Sequence, residues 1–265
     1  MSVLYETHLH TAESSRCGRT PAREYVPYYL DQGYRGIVVT DHFTGNPSYV
    51  PDRRAPWRDQ MDVYCRGYEE ALNEGLKRGL DVFFGVEQAF ASDECLIYGV
   101  DKQWLCDHPQ IATWNRRELF DAVEAVGGCI VHAHPFRVRD YVQCITLNRC
   151  VHAVEAFNAG NNPQDDVYGL AFARQCGLPI TAGSDMHRIG QRPDDMLYGV
   201  TFDQPWRSIM DYVDAIRSRR PFGVRTDPGR GLGKPAPLER PWDFRDENDR
   251  SAPWSPDALF PETAR

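Results

Sequence analysis

The sequence predicts an α/β fold in which parallel strands are flanked by helices, either as a closed barrel or as an open sheet. Short apolar runs rich in β-favouring residues alternate with segments of helical periodicity from residue 3 to about residue 219. Most of these apolar runs end in His, Glu or Asp. With 265 residues, of which 42% are hydrophobic, the chain can bury the core of one large domain.

The apolar runs define the predicted strands. The first begins at Val3 and ends in Glu6-Thr7-His8-Leu9-His10. The others cover residues 34–40, 80–86, 95–100, 129–135, 151–157, 178–183 and 197–202.

The predicted helices lie between these strands. The first begins where Thr20 can cap the helix and Pro21 takes its first position, and Gly33 ends it. Together the helices cover residues 21–32, 59–78, 104–127, 163–175 and 206–219. Residues 43–58 contain three prolines and are predicted to form a long loop, a kind of segment that is usually functional or mobile.

The strand and helix pattern stops near residue 224. Residues 225–265 carry seven prolines and almost no apolar periodicity, so we expect an extended C-terminal tail after a β/α domain at 1–224. Trp242, Phe244 and Trp254 are the side chains that can dock this tail on the domain.

Charge and cysteine usage narrow the possible functions. A net charge of −8 and a pI near 5.5 argue against broad binding to nucleic acid. The chain contains neither an apolar run of about 18 residues nor a secretory signal pattern, so no membrane association is expected. The eight cysteines include no Cys-x-x-Cys pair and are interpreted as reduced thiols, which favours a cytoplasmic protein.

The candidate functional residues lie where predicted strands end. Side chains alternate along a strand, so His8 and His10 share a face and can hold one metal ion between them. The carboxyl ends of parallel strands meet at one face of a barrel or sheet. That face would collect six of the eight histidines and two carboxylates: His8, His10, His42, Glu87, His132, His134, Asp185 and His187.

A single histidine at a strand end is more often a satisfied polar residue than a metal ligand. Five strand ends with the same chemistry favour a metal site. The set exceeds what one ion needs, because about four ligands complete a zinc site and about six a manganese site. We therefore expect a cluster of two or three ions bridged by a carboxylate such as Glu87. His108 and His152 are interpreted as structural.

The motifs at these strand ends resemble those of the PHP family, the polymerase and histidinol phosphatase domains, over about residues 1–220. They are Glu-Thr-His-Leu-His at 6–10, Thr-Asp-His at 40–42, Gly-Val-Glu at 85–87, Ala-His-Pro at 133–135 and Gly-Ser-Asp-Met-His at 183–187. The resemblance implies a distorted (β/α)7 barrel and a cluster of two or three divalent ions (zinc, manganese or iron). It also implies hydrolysis of phosphoric esters.

The resemblance also implies a role for each matching residue. His8, His10, Glu87 and Asp185 would hold one ion; Glu87 and His134 would hold a second. His42 and His187 would hold a third ion or complete the pair. Asp41 is expected to orient a ligand rather than to bind metal.

Several positions depart from the family pattern. Glu6 stands where the family usually has Asp, and Ser15 and Arg16 stand where many members have a ligand. We expect Glu13 to replace that ligand and regard Glu94 as a substitute for a histidine that many members have after Gly-x-Glu. His132 is predicted either as a further ligand or as a hydrogen-bonded neighbour of the site.

The predicted mechanism is attack on phosphorus by a metal-activated water, because the chain has neither a Gly-x-Ser-x-Gly elbow nor a P-loop. Asp185 or a ligand imidazole such as His187 would protonate the leaving oxygen. Arg137 is the first candidate to bind and neutralise the substrate phosphate, with Arg16 next. Further candidates are the loop arginines 53, 54, 58, 188 and 192.

The expected substrate is a small phosphorylated metabolite, either a phosphomonoester or a nucleotide-type phosphate. One alternative is an exonuclease-like activity on nucleic-acid ends, for which Arg53, Arg54, Trp57 and Arg58 offer the only basic and aromatic stretch. Another is a metal-holding regulatory domain without catalysis. No oligomeric state is predicted.

Overall fold

The computed structural model describes most of the chain. The described residues are 2–43, 52–137, 144–191, 197–231, 233–236 and 242–256. Arg192, one of the candidate phosphate-binding arginines, lies outside them, as do parts of the predicted loop at 43–58 and of the predicted tail. None of the described helices is long and apolar enough to cross a lipid bilayer.

Seven α-helices lie in the described part of the chain. They are α1 (Ala22–Asp31), α2 (Trp57–Tyr64), α3 (Arg66–Arg78), α4 (Lys102–Asp107), α5 (Arg116–Ala125), α6 (Pro163–Cys176) and α7 (Met210–Arg217). A short 3₁₀ helix, Pro109–Ala112, follows α4.

The described strands are mostly short. They are β1 (Val3–Leu9), β2 (Gly36–Val39), β3 (His42–Phe43), β4 (Asp81–Ala89), β5 (Glu94–Tyr98), β6 (Cys129–Ala133), β7 (Ile145–Leu147), β8 (Ala153–Asn158), β9 (Ile180–Gly183), β10 (Gly199–Phe202), β11 (Gly223–Arg225) and β12 (Phe244–Asp246).

One large sheet forms the centre of the molecule. Its strand order is β11-β10-β1-β2-β4-β5-β6-β8-β9, and β3 pairs with β4. The sheet rolls until the residues after β9 meet β1, where the His10 amide donates to the Met186 carbonyl at 2.9 Å. The result is a nearly closed, distorted β/α barrel, as predicted.

The sheet differs from the prediction in that it is not wholly parallel. β5 runs antiparallel to both β4 and β6, and β10 runs antiparallel to β1 and β11. The link between β4 and β5 spans only residues 90–93, too few for the crossover that parallel neighbours require. The amide of Phe90 donates to the carbonyl of Asp93 and closes this turn.

Two of the predicted helices are divided. The predicted helix at 59–78 is α2 followed by α3, and at the restart the Gly67 amide donates to Ser14 Oγ at 3.1 Å. The predicted helical segment at 104–127 breaks at His108, because the ring of Pro109 disfavours helical geometry in the preceding residue. Asn115 then begins α5 with a capping box.

Part of the predicted tail packs on the barrel. β12 pairs in parallel with β7, and neither short strand has a periodic signal in the sequence. Phe244 is buried, and the Trp254 ring lies 4.9 Å from that of Phe136. β11 spans the predicted boundary at residue 224.

Register places the apolar interior directly beneath the strand ends that carry the candidate ligands. Glu87 pairs with Leu96, Leu96 with Val131 and Val131 with Ala153, so these four side chains point to one face of the sheet. All four side chains are buried, and all but Glu87 are apolar. The barrel interior is therefore a packed core below a polar rim.

Candidate metal centre

The rim at the carboxyl ends of the strands collects imidazoles and carboxylates from residues far apart in sequence. β1 provides His8 and is followed by His10; β3 provides His42 and β4 provides Glu87. Four groups of three side chains each have ligand atoms within 4.8 Å of one another. These groups are His8–His10–Asp185, His8–Glu87–His134, His42–Glu87–Glu94 and His10–His42–His187.

Glu87 lies at the middle of this cluster. One of its carboxylate oxygens lies 3.1 Å from His8 Nε2 and 3.4 Å from His134 Nε2. The other lies 2.8 Å from His42 Nδ1 and 3.2 Å from His10 Nε2. One carboxylate thus faces two sets of imidazoles, the arrangement expected of a bridging ligand.

The backbone at two candidate ligands is unusual. His134 has φ of 25° and Asp185 has φ of 51°, in the left-handed region that side chains other than glycine seldom occupy. Such conformations persist where the surrounding structure imposes them, and they cluster at functional sites. Here they turn each side chain toward the rim just after its strand ends.

The turn at His134 explains why His132 is absent from the cluster. On a regular strand His132 and His134 would share a face, but β6 ends at Ala133 and the left-handed backbone at His134 breaks the alternation. His132 pairs in register with Cys95 on the opposite face, and its Nε2 lies 3.5 Å from Asp93. Burial lowers the pKa of His132 to about 4.

Glu13 is also absent from the four ligand groups. Its two carboxylate oxygens accept from the amide of Ala22, at 3.2 and 3.0 Å. Ala22 begins α1, so Glu13 satisfies an amide at a helix N-terminus, where a negative charge is favourable. The predicted replacement ligand is therefore a helix cap.

Glu94 does join the cluster. It lies at the start of β5, and its oxygens are 3.5 Å from His42 Nδ1 and 3.5 Å from His134 Nε2. Burial and the nearby charge of Glu87 raise its pKa. The hairpin between β4 and β5 brings Glu94 to the rim, so the residue considered as a substitute stands opposite the shared carboxylate.

Arg137 has protein partners that the sequence did not reveal. Its guanidinium donates to Asp185 Oδ2, to Asn158 Oδ1 and to Asn161 Oδ1. Its side chain is 13% exposed. Arg137 therefore holds a candidate ligand in place, which differs from the predicted role of a guanidinium that waits for substrate phosphate. Arg16, by contrast, is exposed.

Asp41 acts on the cluster through a serine. It accepts from Ser15 Oγ and from the Thr11 amide, each at 2.6 Å. Ser15 Oγ in turn accepts from the His42 amide at 3.0 Å and lies 3.4 Å from His10 Nδ1. This chain of contacts fits the orienting role expected of Asp41.

Glu155 is a functional candidate that the sequence reasoning missed. Its carboxylate lies 3.0 and 3.2 Å from His8 Nδ1 and accepts from the His134 amide and from Asn158. A carboxylate that holds the far nitrogen of a ligand imidazole fixes its tautomer and orientation. Gly183 is needed beside it, because a Cβ there would lie 2.4 Å from Glu155 Oε1.

Glu6 ties β1 to the residues that follow β9. One carboxylate oxygen accepts from the amides of Thr7, His8 and Ser184, and the other accepts from the Tyr29 hydroxyl. Burial raises its pKa to about 7. The longer side chain at this position thus keeps a positioning role at the base of the site.

Cys17 is a second missed residue at the rim. Its thiol interacts with the side chains of His187 and His42, and these interactions lower its pKa to about 7 even though burial opposes ionisation. It follows Ser15 and Arg16, the two positions at which a family-like ligand is missing. What marks Cys17 is its proximity to His187 and His42 in the fold, and this proximity cannot be read from the sequence.

The electrostatics of the cluster favour a cation. Burial disfavours the charged form of Glu87, but His8 and His42 outweigh it, and the pKa of Glu87 lies well below its ordinary value. Burial also disfavours protonated His8, yet Glu155 and Glu87 raise its pKa well above its ordinary value. Metal binding would displace such protons, because only the neutral imidazole is a ligand.

The donor set fits divalent metal ions. Glu87 is fully buried, and neither carboxylate oxygen has a hydrogen-bond partner among the described residues apart from its close contacts with the imidazole nitrogens. A buried carboxylate without hydrogen bonds is costly unless a cation compensates it. Mixed imidazole and carboxylate ligands are those of zinc, manganese and iron sites.

Comparison with known proteins identifies the fold. No family model matches the chain. One similar solved structure is a protein from Bifidobacterium adolescentis assigned as a metal-dependent phosphoesterase; the match has a TM-score of 0.51 and 15% identity, and it covers 81% of this chain and 96% of that one. Another is a two-domain protein from Bacteroides vulgatus that contains a domain assigned as a PHP-like metal-dependent phosphoesterase; the match has a TM-score of 0.61 and 16% identity, and it covers 85% of this chain and 65% of that one. The fold is that of the PHP-like phosphoesterases.

A sequence relative extends the same comparison. A protein of Deinococcus radiodurans named as a probable histidinol-phosphatase is 36% identical over 93 residues. The match covers 34% of this chain and 34% of that relative, so it spans about a third of the relative's length. The resemblance predicted from the strand-end motifs is thus confirmed at the level of the fold.

Proposed function

We propose that this chain is a metal-dependent phosphoesterase that hydrolyses a small phosphorylated substrate. The observation that carries the proposal is the carboxylate of Glu87, buried without hydrogen bonds among the described residues and shared by two ligand groups. The fold shared with two structures assigned as metal-dependent phosphoesterases, one of them PHP-like, supports it. The relative named as a probable histidinol-phosphatase supports a small substrate.

The ligand set supports two or three divalent ions. His8, His10 and Asp185 form one group, while His134 and Glu94 complete the groups that Glu87 shares. His42 and His187 form a further group with His10. Divalent ions held here would lower the pKa of a bound water to near neutral and would neutralise the charge on the phosphoryl oxygens of the substrate.

The residues around the ions would orient the reaction. Arg137 holds Asp185 from one side, and His10 Nε2 lies 3.0 Å from Asp185 Oδ1 on the other. These two contacts hold the Asp185 carboxylate in one position. Ligand atoms placed rigidly in this way are prepared for a transition state before substrate arrives.

When two ions are bound and His187 is not a ligand, we propose that His187 protonates the leaving oxygen. Its side chain is 26% exposed, whereas the other imidazoles of the ligand groups are at most 8% exposed, so a substrate can reach it. Burial opposes its protonation, but Asp185 and Cys17 outweigh burial and raise its pKa. Arg16 and Arg188, both exposed and next to Cys17 and His187 in sequence, are proposed to contact the substrate phosphate.

The test is hydrolysis by metal-loaded protein of histidinol phosphate, a sugar phosphate, a nucleotide and a single-stranded DNA end. We expect Glu87→Gln to lower kcat/KM by about 100-fold, while Glu24→Gln, an exposed α1 position, leaves it unchanged. If the protein releases nucleotides from the DNA end and leaves the three small esters intact, the exonuclease hypothesis would replace the proposal. Metal-loaded protein that leaves every ester intact would indicate a non-catalytic metal-holding domain.

A further inference from the structure

The barrel is joined unevenly along the seam where the sheet closes. At the rim, the Met186 amide and carbonyl bond to β1, at 3.3 Å from the His8 carbonyl and 2.9 Å from the His10 amide. At the other end, β9 and β11 are the two outer strands of the sheet order and form no ladder with each other among the described residues. The seam therefore opens away from the candidate metal centre.

A groove of about 550 Å³ lies in this opening. Its walls come from both sides of the seam, with Leu178 and Ile180 at the start of β9 and Phe222 and Val224 at β11. Val224 is 37% exposed although it is apolar. The volume is that of a typical small-molecule site, about 300–1,000 Å³, and none of the candidate metal ligands lines it.

The groove has a positive rim. Four arginines line it, at positions 174, 219, 220 and 230, and no Asp or Glu is among the lining residues, although the chain as a whole carries a net charge of −8. Arg230 is neutralised by Asp166 at 2.6 Å. The guanidinium groups of Arg174 and Arg219 have no acidic partner in the part of the chain that the structure describes.

Helix geometry accounts for only part of this arrangement. Arg174 lies in the last turn of α6, and Arg219 and Arg220 follow α7, where positive side chains are favoured by the helix dipole. The dipole does not explain why both helix ends border the same apolar groove. An apolar wall beside cations without acidic partners matches a ligand with an apolar body and an anionic head.

We propose that the groove between β9 and β11 binds a small amphipathic anion. The apolar body lies against Ile180, Phe222 and Val224, and a carboxylate, sulfonate or phosphate head is held by Arg174 and Arg219. A ligand seated there contacts both sides of the open seam. It therefore stabilises the barrel by mass action, without contacting the candidate metal ligands.

The test uses 8-anilinonaphthalene-1-sulfonate as the probe, with its fluorescence followed in a titration of the metal-loaded protein. We expect saturation at one probe per chain and displacement by decanoate, decyl sulfate or decyl phosphate. The relative strengths of these competitors identify the preferred head group. Decanol tests the apolar body alone and inorganic phosphate tests the head alone, and both should displace the probe far less.

Variants locate the binding. We expect Arg174→Glu combined with Arg219→Glu to weaken probe binding by about tenfold or more, and Val224→Gln to weaken it as well. Arg23→Glu, the same charge reversal at an exposed position of α1, should leave binding unchanged. Probe binding that does not saturate, that decanol displaces as well as decanoate does, or that survives the double charge reversal would overturn the proposal.

Discussion

Strand alternation predicted some of the candidate ligands and failed for one. His8 lies in β1 and His10 directly follows that strand, and the two-residue period correctly placed both at the rim. The same rule failed for His132 and His134, because the left-handed backbone at His134 breaks the alternation. A backbone conformation of this kind has no signal in the sequence, since His134 is neither glycine nor asparagine.

Buried carboxylates were the residues hardest to place from sequence. Glu155 stands in the apolar run Ala153–Asn158, where a lone acidic residue was a sign of a paired, buried charge. Its partner His8 lies 147 positions away, so the pairing required the fold. Glu13 shows the opposite case, because its partner, the Ala22 amide, is local and was overlooked.

Glu155→Gln is expected to lower metal affinity by about 10–100-fold, because a neutral amide holds the His8 imidazole less firmly than a carboxylate does. Competition between the protein and a chelator for zinc or manganese measures this without any substrate. Glu24→Gln is the matched control and should bind metal as the unmodified protein does. An affinity unchanged by Glu155→Gln would remove Glu155 from the site.

Cys17 is expected to be the first cysteine alkylated by iodoacetamide in metal-free protein. Contacts with His187 and His42 lower its thiol pKa to about 7, so its reaction rate should rise as the pH passes upward through about 7. Cys106 and Cys176, also partly exposed, serve as internal controls for peptide mapping by mass spectrometry. Equal rates for the three cysteines would contradict the assigned contacts.

At the level of elements, the sequence located most helices and strands and misjudged how some of them connect. The run at 95–100 was recognised as a strand, but its antiparallel pairing follows from the four-residue link before it. β7 and β12 are three-residue strands that form because they pair with each other, and no local sequence pattern predicts such a pair. The segment predicted as an extended tail therefore includes a part that packs on the barrel.

Arg116 adds a polar connection between this C-terminal segment and the barrel. On α5, its buried guanidinium binds Asp93 Oδ1 at 2.6 Å, Asp249 Oδ1 at 3.0 Å and the Glu247 carbonyl at 3.4 Å. Asp93 directly precedes Glu94, a candidate ligand. One guanidinium thus joins α5, the start of β5 and the segment that follows β12.

Arg116→Ala is expected to lower the free energy of unfolding by about 3 kcal/mol, because it leaves the Asp93 carboxylate buried without its cation. Arg117→Ala removes the same charge from the next, exposed position and should change stability by less than about 0.5 kcal/mol. Urea unfolding of both variants supplies the comparison. Equal stability of the two variants would show that the buried ion pair contributes nothing.

At the level of the whole molecule, the barrel was predictable because alternating strands and helices and the strand-end motifs agree. The closure was not, because it depends on residues 184–187 reaching β1 rather than on any further strand. The candidate metal centre spans this closure, since His8 and His10 stand on one side of it and Asp185 and His187 on the other. Ions bound at this centre would therefore link the two ends of the sheet.

Removal of metal with a chelator is expected to lower the Tm. Ions that bind only the folded chain stabilise it by about 3–4 kcal/mol when free metal is 100–1,000 times the Kd, which for a domain of this size corresponds to about 6–16 °C. Calorimetry before chelation, after it and after metal is restored tests this, with elemental analysis of each sample. A Tm that is the same in all three samples would contradict a metal cluster across the closure.

The distribution of the ligands along the chain has a consequence for synthesis. His8 and His10 leave the ribosome more than 170 residues before Asp185 and His187. While the residues between them are being added, the growing chain carries only part of the donor set, which is complete only after β9 has emerged. Metal binding by the full set would therefore follow the synthesis of β9, and its occurrence would report that the barrel has closed.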